Sequence, residues 1–286
     1  MNCVNILLQT DRATLSEFHH PVAHEHADPD VEVASCDSVN FVDGGTFDVT
    51  MSGESRRIDP GMVFLAVGGM SFSCRHQDAI PTDRCLTVAY ADDAVEELRR
   101  ADLPGLAPPA IPLSARLTFL RHRLRGCAPM DDIRFDLLAG SLFEAAGGRR
   151  PAPRTRRPGE MTDLMRRIDR AVGLIEHDFA SALTLRQLAN AAGLSPYHFA
   201  REFKALAGMP PHRYLTAVRL RHAARMLLGG ASVSLTCYDV GFCSLSHFVT
   251  AFRRRYGIVP SAVRRGAPLP VLRASLSTPV WAGVSR

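Results

Sequence analysis

A chain of 286 residues is long enough for two domains. Its 46% hydrophobic content is ordinary for a globular protein, and no stretch approaches the roughly 18 consecutive apolar residues of a membrane helix. The net charge of +5 hides an asymmetry: residues 1–146 carry 12 Arg against 22 Asp/Glu, a net of −10, whereas residues 147–266 carry 20 Arg/Lys against 7 Asp/Glu, a net of +13. The basic half calls for a polyanionic partner.

The N-terminus lacks the basic, apolar and small-residue series of a signal peptide. Seven Cys at irregular spacing, with no CxxC, speak for a reducing compartment rather than a disulfide framework. The expected location is therefore cytoplasmic, with no membrane partner. Lys204 is the only Lys. Arg suits bidentate phosphate or guanine contacts, and genomic base composition favouring Arg codons accounts for the bias equally well.

In chain order, residues 1–90 predict a sheet. Short β-rich runs at Val31–Ala34, Val39–Val42, Thr46–Met51, Met62–Val67 and Leu86–Ala89 are separated by turn signals. Asp43-Gly44-Gly45 between two runs reads as a hairpin, and Asp59-Pro60-Gly61 as another turn. Such a series suggests a β-sandwich or a small barrel. Helices follow at Asp92–Ala101, Ser114–Leu124 and Asp132–Ala145. Leu113, Leu117, Leu120 and Leu124 form one apolar stripe, and Phe135, Leu138 and Leu142 another. Such stripes either cover the sheet or form a helix-to-helix contact between two copies of the chain.

Residues 147–159, Gly- Arg- and Pro-rich, read as a linker whose Arg residues are either a solvated hinge or extra phosphate contacts. A helix at about Thr162–Phe179 places Leu164, Ile168, Ala171 and Ile175 on one face.

Residues 185–265 contain one unit written twice. Ala189, Gly193, Phe199, Phe203, Gly208 and Pro211 recur as Cys237, Gly241, Phe248, Phe252, Gly257 and Pro260, at an offset of 48 up to the first Gly and 49 from the first Phe. Each copy reads as helix, Gly turn, helix. Thr184 and Gln187 make a capping box for the first helix. Gly193 stops it, and Ser195 with Pro196 starts the second. Between the copies, a long helix from Pro211 ends at Gly229-Gly230. Two helices joined by a tight Gly turn form the helix-turn-helix, whose second helix enters the major groove. The tail 267–286 lacks periodicity and is expected to be disordered.

With Phe199 and Phe203 facing inward, the first reading helix turns Tyr197, Ala200, Arg201 and Lys204 outward. Arg201 is the best candidate for a base contact, because Arg to guanine is the commonest specific pairing. In the second, Phe248 and Phe252 face inward while Leu245, Ser246, Val249, Thr250 and Arg253 face out. That face is unusually apolar, which suits thymine-methyl contact or mainly backbone binding. Arg253, Arg254 and Arg255 suit phosphate clamping. No catalytic residue is assigned, no cofactor is expected, and the chain does not read as an enzyme.

Gly-Leu-Ser-Pro-x-x-Phe-x-Arg-x-Phe-Lys at 193–204, Tyr-Leu-x-x-x-Arg-Leu at 214–220 and Gly-Phe-x-Ser-x-Ser-His-Phe-x-x-x-Phe-Arg-Arg-x-Tyr-Gly-x-x-Pro at 241–260 resemble the AraC/XylS-type transcriptional regulators over residues 162–265. The resemblance implies an α+β chain: a cupin-like N-terminal barrel with flanking helices over 1–146 that binds an effector or dimerises, then an all-α domain with two helix-turn-helix motifs over 160–266. It implies base-reading positions at Tyr197, Ala200 and Arg201. It implies double-stranded promoter DNA as partner, with RNA polymerase, a small-molecule effector and a second copy of the chain as further expected partners. Two reading heads about 34 Å apart would enter successive major grooves. His247 falls at the family's Ser-His-Phe position, which implies a packed or DNA-flanking role rather than catalysis. Two features depart from the pattern: Thr236-Cys237 replaces Ile-Ala or Val-Ala, and Cys243-Ser244 begins the second reading helix.

An alternative is a cupin-type metalloprotein or a metal- or thiol-responsive regulator. His24-x-His26 followed by Glu32 resembles the metal-binding start of cupin enzymes, but no His follows Pro60-Gly61 to complete that pattern. Cys74, His76 and Cys85, with Cys36, lie in the predicted sheet, and Cys74-x-His76 has usable ligand spacing. Buried structural cysteines are the plainer account of the same residues.

Overall fold

The computed structural model describes residues 4–19, 31–76, 83–100, 110–126, 132–147 and 158–267, which fall in two compact units. In the first, strands β1 (Val4–Gln9), β2 (Ala13–His19), β3 (Val31–Val33), β4 (Ser38–Gly44), β5 (Phe47–Met51), β6 (Glu54–Ile58), β7 (Met62–Ala66), β8 (Ser71–His76) and β9 (Arg84–Tyr90) precede helix α1 (Asp92–Arg100). Strand β10 (Ala110–Pro112) and helices α2 (Ala115–Arg125) and α3 (Asp132–Gly147) complete it. A six-stranded sheet runs β1-β2-β9-β4-β7-β10 and a four-stranded sheet runs β3-β8-β5-β6. Every described pairing is antiparallel, and none joins the two sheets, so the expected barrel is not closed among the described residues.

Side-chain alternation explains the layers. On the larger sheet, Val39, Phe41, Leu86 and Val88 pack in one core with Leu117, Leu120 and Leu124 of α2 and Phe135, Leu142 and Phe143 of α3. The two leucine and phenylalanine stripes thus cover the sheet. Tyr90 seals this layer: its hydroxyl donates to the Ala139 carbonyl at 2.8 Å, and its ring meets Phe143 edge-on at 5.2 Å. Val42 and Phe64 of the larger sheet form a second core with Phe47, Val49, Ile58 and Phe72 of the smaller one. On β4 and β9, Asn40 and Thr87 stand opposite each other and are buried. Asn40 Nδ2 donates to Ser38 Oγ at 3.0 Å and to the Phe64 carbonyl at 3.2 Å, while Thr87 Oγ1 donates to Asn40 Oδ1 at 2.8 Å.

Asp43-Gly44-Gly45 is not a hairpin. β4 and β5 belong to different sheets, and the tripeptide is a corner carrying the chain from one to the other. Gly45 takes φ +77°, and a Cβ there would meet the Asp83 carboxylate. Arg121 and Arg125 of α2 both pair with Asp43, which pins the corner. The hairpin proper joins β5 to β6 through Ser52 (φ 48°) and Gly53 (φ 83°). Asp59-Pro60-Gly61 is a turn, with Gly61 at φ 90° and the Met62 amide donating to the Asp59 carbonyl at 3.1 Å.

In the second unit, α4 (Pro158–Asp178), α5 (Leu185–Ala192), α6 (Pro196–Ala207), α7 (Pro211–Leu228), α8 (Val233–Asp239), α9 (Leu245–Tyr256) and α10 (Pro260–Arg264) make two helical hairpins on shared supports. α4 begins inside the stretch expected to be linker; residues 148–157 and the expected disordered tail beyond residue 267 lie outside the described residues. No described helix is long and apolar enough to cross a membrane.

Candidate nucleic-acid interface

Local chemistry sets the first hairpin. Thr184 Oγ1 accepts from the Gln187 amide at 3.3 Å, and Gln187 Oε1 accepts from the Thr184 amide at 2.9 Å, the reciprocal capping box. Gly193 ends α5 in the left-handed region at φ 63°. Ser195 Oγ then accepts from the His198 amide at 3.4 Å, with Pro196 in the first turn of α6. Phe199 and Phe203 are fully buried with ring centroids 5.3 Å apart, and Phe203 meets Tyr214 of α7 edge-on at 5.5 Å.

The second hairpin repeats this plan. Ser244 Oγ caps α9 by accepting from the His247 amide at 3.4 Å, so the Cys243-Ser244 departure keeps the cap. Phe242, Phe248, Phe252 and Tyr256 form a chain of ring contacts at 5.2, 5.8 and 4.7 Å. His247 is exposed, and its ring meets Phe242 edge-on at 5.5 Å.

The hairpins are tied together. Arg219 on α7 donates from Nε to the Phe179 carbonyl at 2.7 Å and from Nη2 to Ser181 at 2.8 Å, which holds the end of α4. Phe179 stacks on His222 at 3.9 Å and packs against the core of the second hairpin. Buried Arg221 pairs with Glu176 of α4, whose other oxygen accepts from the Tyr214 hydroxyl at 2.9 Å. Sequence reasoning missed these ties, because a side chain that bonds a distant carbonyl leaves no periodic signal.

The outward faces carry the expected residues. Tyr197 is 79% exposed, and Arg201 and Lys204 are exposed on the same helix, with Ala200 half-buried between turns. On α9, Leu245, Ser246, Thr250 and Arg253 are exposed, while Val249 is half-buried against the core of its own hairpin. Arg253, Arg254 and Arg255 are exposed in the last turn of α9. Glu202 escaped the sequence reading: it stands between outward Arg201 and buried Phe203, three residues after buried Phe199, and is 3% exposed.

The candidate metal and thiol residues do not assemble comparably. His24 and His26 lie outside the described residues, as does the His76 side chain. Cys74 is half-buried against the layer between the sheets and Cys85 is buried within it. Burial pushes the Cys85 thiol far above its ordinary range and that of Cys36 up to about 11, which disfavours the thiolate that metals and oxidants need. No group of three or more His, Cys, Asp or Glu is placed to hold a metal among the described residues.

Residues 188–266 match a family model described as a helix-turn-helix domain. A putative AraC-like transcription regulator from Streptomyces lividans is 28% identical over 231 residues, 80% of this chain and 72% of that protein. Over its C-terminal domain the chain is thus similar to the AraC-type regulators. The HTH-type transcriptional activator RhaS of Escherichia fergusonii is 33% identical over 108 residues, 37% of this chain and 38% of its own length. This chain thus spans less than two fifths of the RhaS activators it matches. A solved AraC-type regulator structure from Chromobacterium violaceum is 27% identical, covering 38% of this chain and 95% of that one, with a TM-score of 0.34. In this domain both second helices, α6 and α9, bury a Phe pair and leave polar and cationic side chains exposed.

Proposed function

We propose that the chain is a sequence-specific DNA-binding transcription regulator rather than an enzyme. The observation that carries this reading is the repeated geometry of α6 and α9. Each helix buries two Phe rings and exposes polar and cationic side chains, in a half of the chain with a net charge of +13. Tyr197, Ala200 and Arg201 read bases, with Lys204 beside them. Leu245, Ser246, Val249, Thr250 and Arg253 form the second contact surface, and Arg254 and Arg255 clamp phosphates.

Promoter DNA is the partner and the cytoplasm the compartment, with RNA polymerase the machinery it acts on. Residues 1–146 are an effector-binding and dimerising part of cupin-like type, 147–159 a connection and 160–266 the reading part. The support for the first is the pair of antiparallel sheets with hydrogen-bonding Asn40, Ser38 and Thr87 buried on the larger one.

Arg201→Ala tests the base-reading role. It is expected to lose roughly 1–3 kcal/mol on the preferred site and much less on random duplex. Equal losses on both would remove Arg201 from that role.

A further inference from the structure

Glu202 is an anionic side chain on a helix read as facing a polyanion. The residue is withdrawn to 3% exposure. One oxygen, Oε1, accepts from Arg201 Nε at 3.2 Å and from Arg201 Nη2 at 2.9 Å. His198 Nε2 stands 3.3 Å from the same oxygen, one turn earlier on α6. Consecutive helix residues point about 100° apart and do not ordinarily face each other. Arg201 therefore has to bend around the helix to make this fork.

The contact has a directional consequence. A guanidinium has five N–H donors in one plane. The Nε–H and one hydrogen of Nη2 are turned to Glu202, which leaves the other Nη2 hydrogen and both on Nη1. The edge available to a base is then the terminal Nη1–Nη2 edge, whose two donors match the two acceptors of guanine. A flexible arginine surrenders side-chain entropy when it docks, whereas one already held by a half-buried charge-assisted contact has surrendered part of it on folding.

We propose that Glu202 is a specificity-determining positioning residue, which fixes the Arg201 guanidinium with its terminal edge outward. This rests on the reading of Arg201 as a base reader. Glu202 is withdrawn from the exposed face, and the double-mutant cycle separates an influence passing through Arg201 from one passing through His198 or the packing of α6.

The test is a double-mutant cycle in the full chain, reading the affinity ratio between the preferred site and the same site with its guanine replaced. Glu202→Gln keeps shape and an acceptor but loses the charge; Glu202→Met removes the acceptor and, because the Arg201 side chain is 47% exposed, does not leave that guanidinium buried without a partner. With Arg201 present, each is expected to reduce the ratio, by about tenfold for Glu202→Met and less for Glu202→Gln, with melting temperature and affinity for random duplex unchanged. In the R201A background neither is expected to change the ratio further. An undiminished ratio in both variants, while Arg201→Ala alone abolishes it, would overturn the positioning role and leave the base-reading role standing. Equal losses in both backgrounds, or a loss that follows the melting temperature, would reduce Glu202 to a structural part. An undiminished ratio in Arg201→Ala itself would remove the base reader and this proposal together.

Discussion

Thr236 shows how one hydroxyl separates folding from function. It is fully buried in α8, and its Oγ1 finds no hydrogen-bond partner among the described residues. Its position is one of the two departures noted in the sequence, where Ile or Val is usual. A buried hydroxyl without a partner keeps its desolvation penalty and gains nothing in return. Val has nearly the same shape. Thr236→Val is therefore expected to stabilise the chain by about 1 kcal/mol in chemical denaturation, with DNA affinity unchanged; a destabilised variant would show that the hydroxyl has a partner. Residue identity also separates the two reading helices. Arg201 projects from α6 with its head held, whereas Val249 of α9 leans on its own hydrophobic core.

At the level of elements, two contacts decide how pieces meet. The turn of the second hairpin presses on the connection after α4: Gly241 has φ 89°, and a Cβ there would lie 2.5 Å from the Ala180 carbonyl oxygen. Gly193, its counterpart, has φ 63° and only a flexible Arg167 tip nearby, at 3.7 Å. Gly193→Ala is thus expected to cost about 1 kcal/mol, and Gly241→Ala about 3 kcal/mol or more, because backbone strain is joined by a clash with backbone. Equal costs by denaturation would contradict the asymmetry.

In the N-terminal unit, Thr10 in the β1–β2 turn donates to Asp136 of α3 at 2.6 Å. Burial pushes the Asp136 carboxyl up to about 6, with Asp132 and Asp11 adding to it against the Thr10 bond and Arg12. Because the folded value lies above the unfolded one, the stabilisation is fully present below about pH 4 and is lost as pH rises through about 6. Asp136→Asn should remove a dependence worth on the order of 2 kcal/mol across that window, seen as melting temperatures that converge at low pH and diverge, variant above wild type, at pH 7.

The same elements show what a sequence discloses. The duplicated hairpins were legible because their signals are local: a cap three residues from its partner, a Gly at each αL stop, Phe pairs four apart. Five strands were not. β6 exposes four of its five residues, so it has no apolar alternation to detect, and β10 has only three residues. The turn at Asp43 was visible as a turn, but nothing local says whether a chain folds back on its neighbour or crosses to another sheet. Glu202 was passed over because its burial depends on the residues around it rather than on its own type.

For the whole molecule, the central claim is that two reading helices act together on one stretch of duplex. The Arg219, Phe179 and Arg221 contacts join the end of α4 to α7, and both hairpins pack on α7, which holds their separation. A fixed separation predicts a fixed half-site spacing, and a strongly basic surface predicts steep salt dependence. The most direct measurement is selection of genomic fragments by the full-length chain over a salt titration, with sequencing of what is retained. The expected result is enrichment of a motif with two half-sites about 10–10.5 base pairs apart, retained at salt concentrations that strip random duplex. Retention that falls with salt but shows no preferred sequence would contradict the claim, leaving the duplicated unit a grip on phosphates alone.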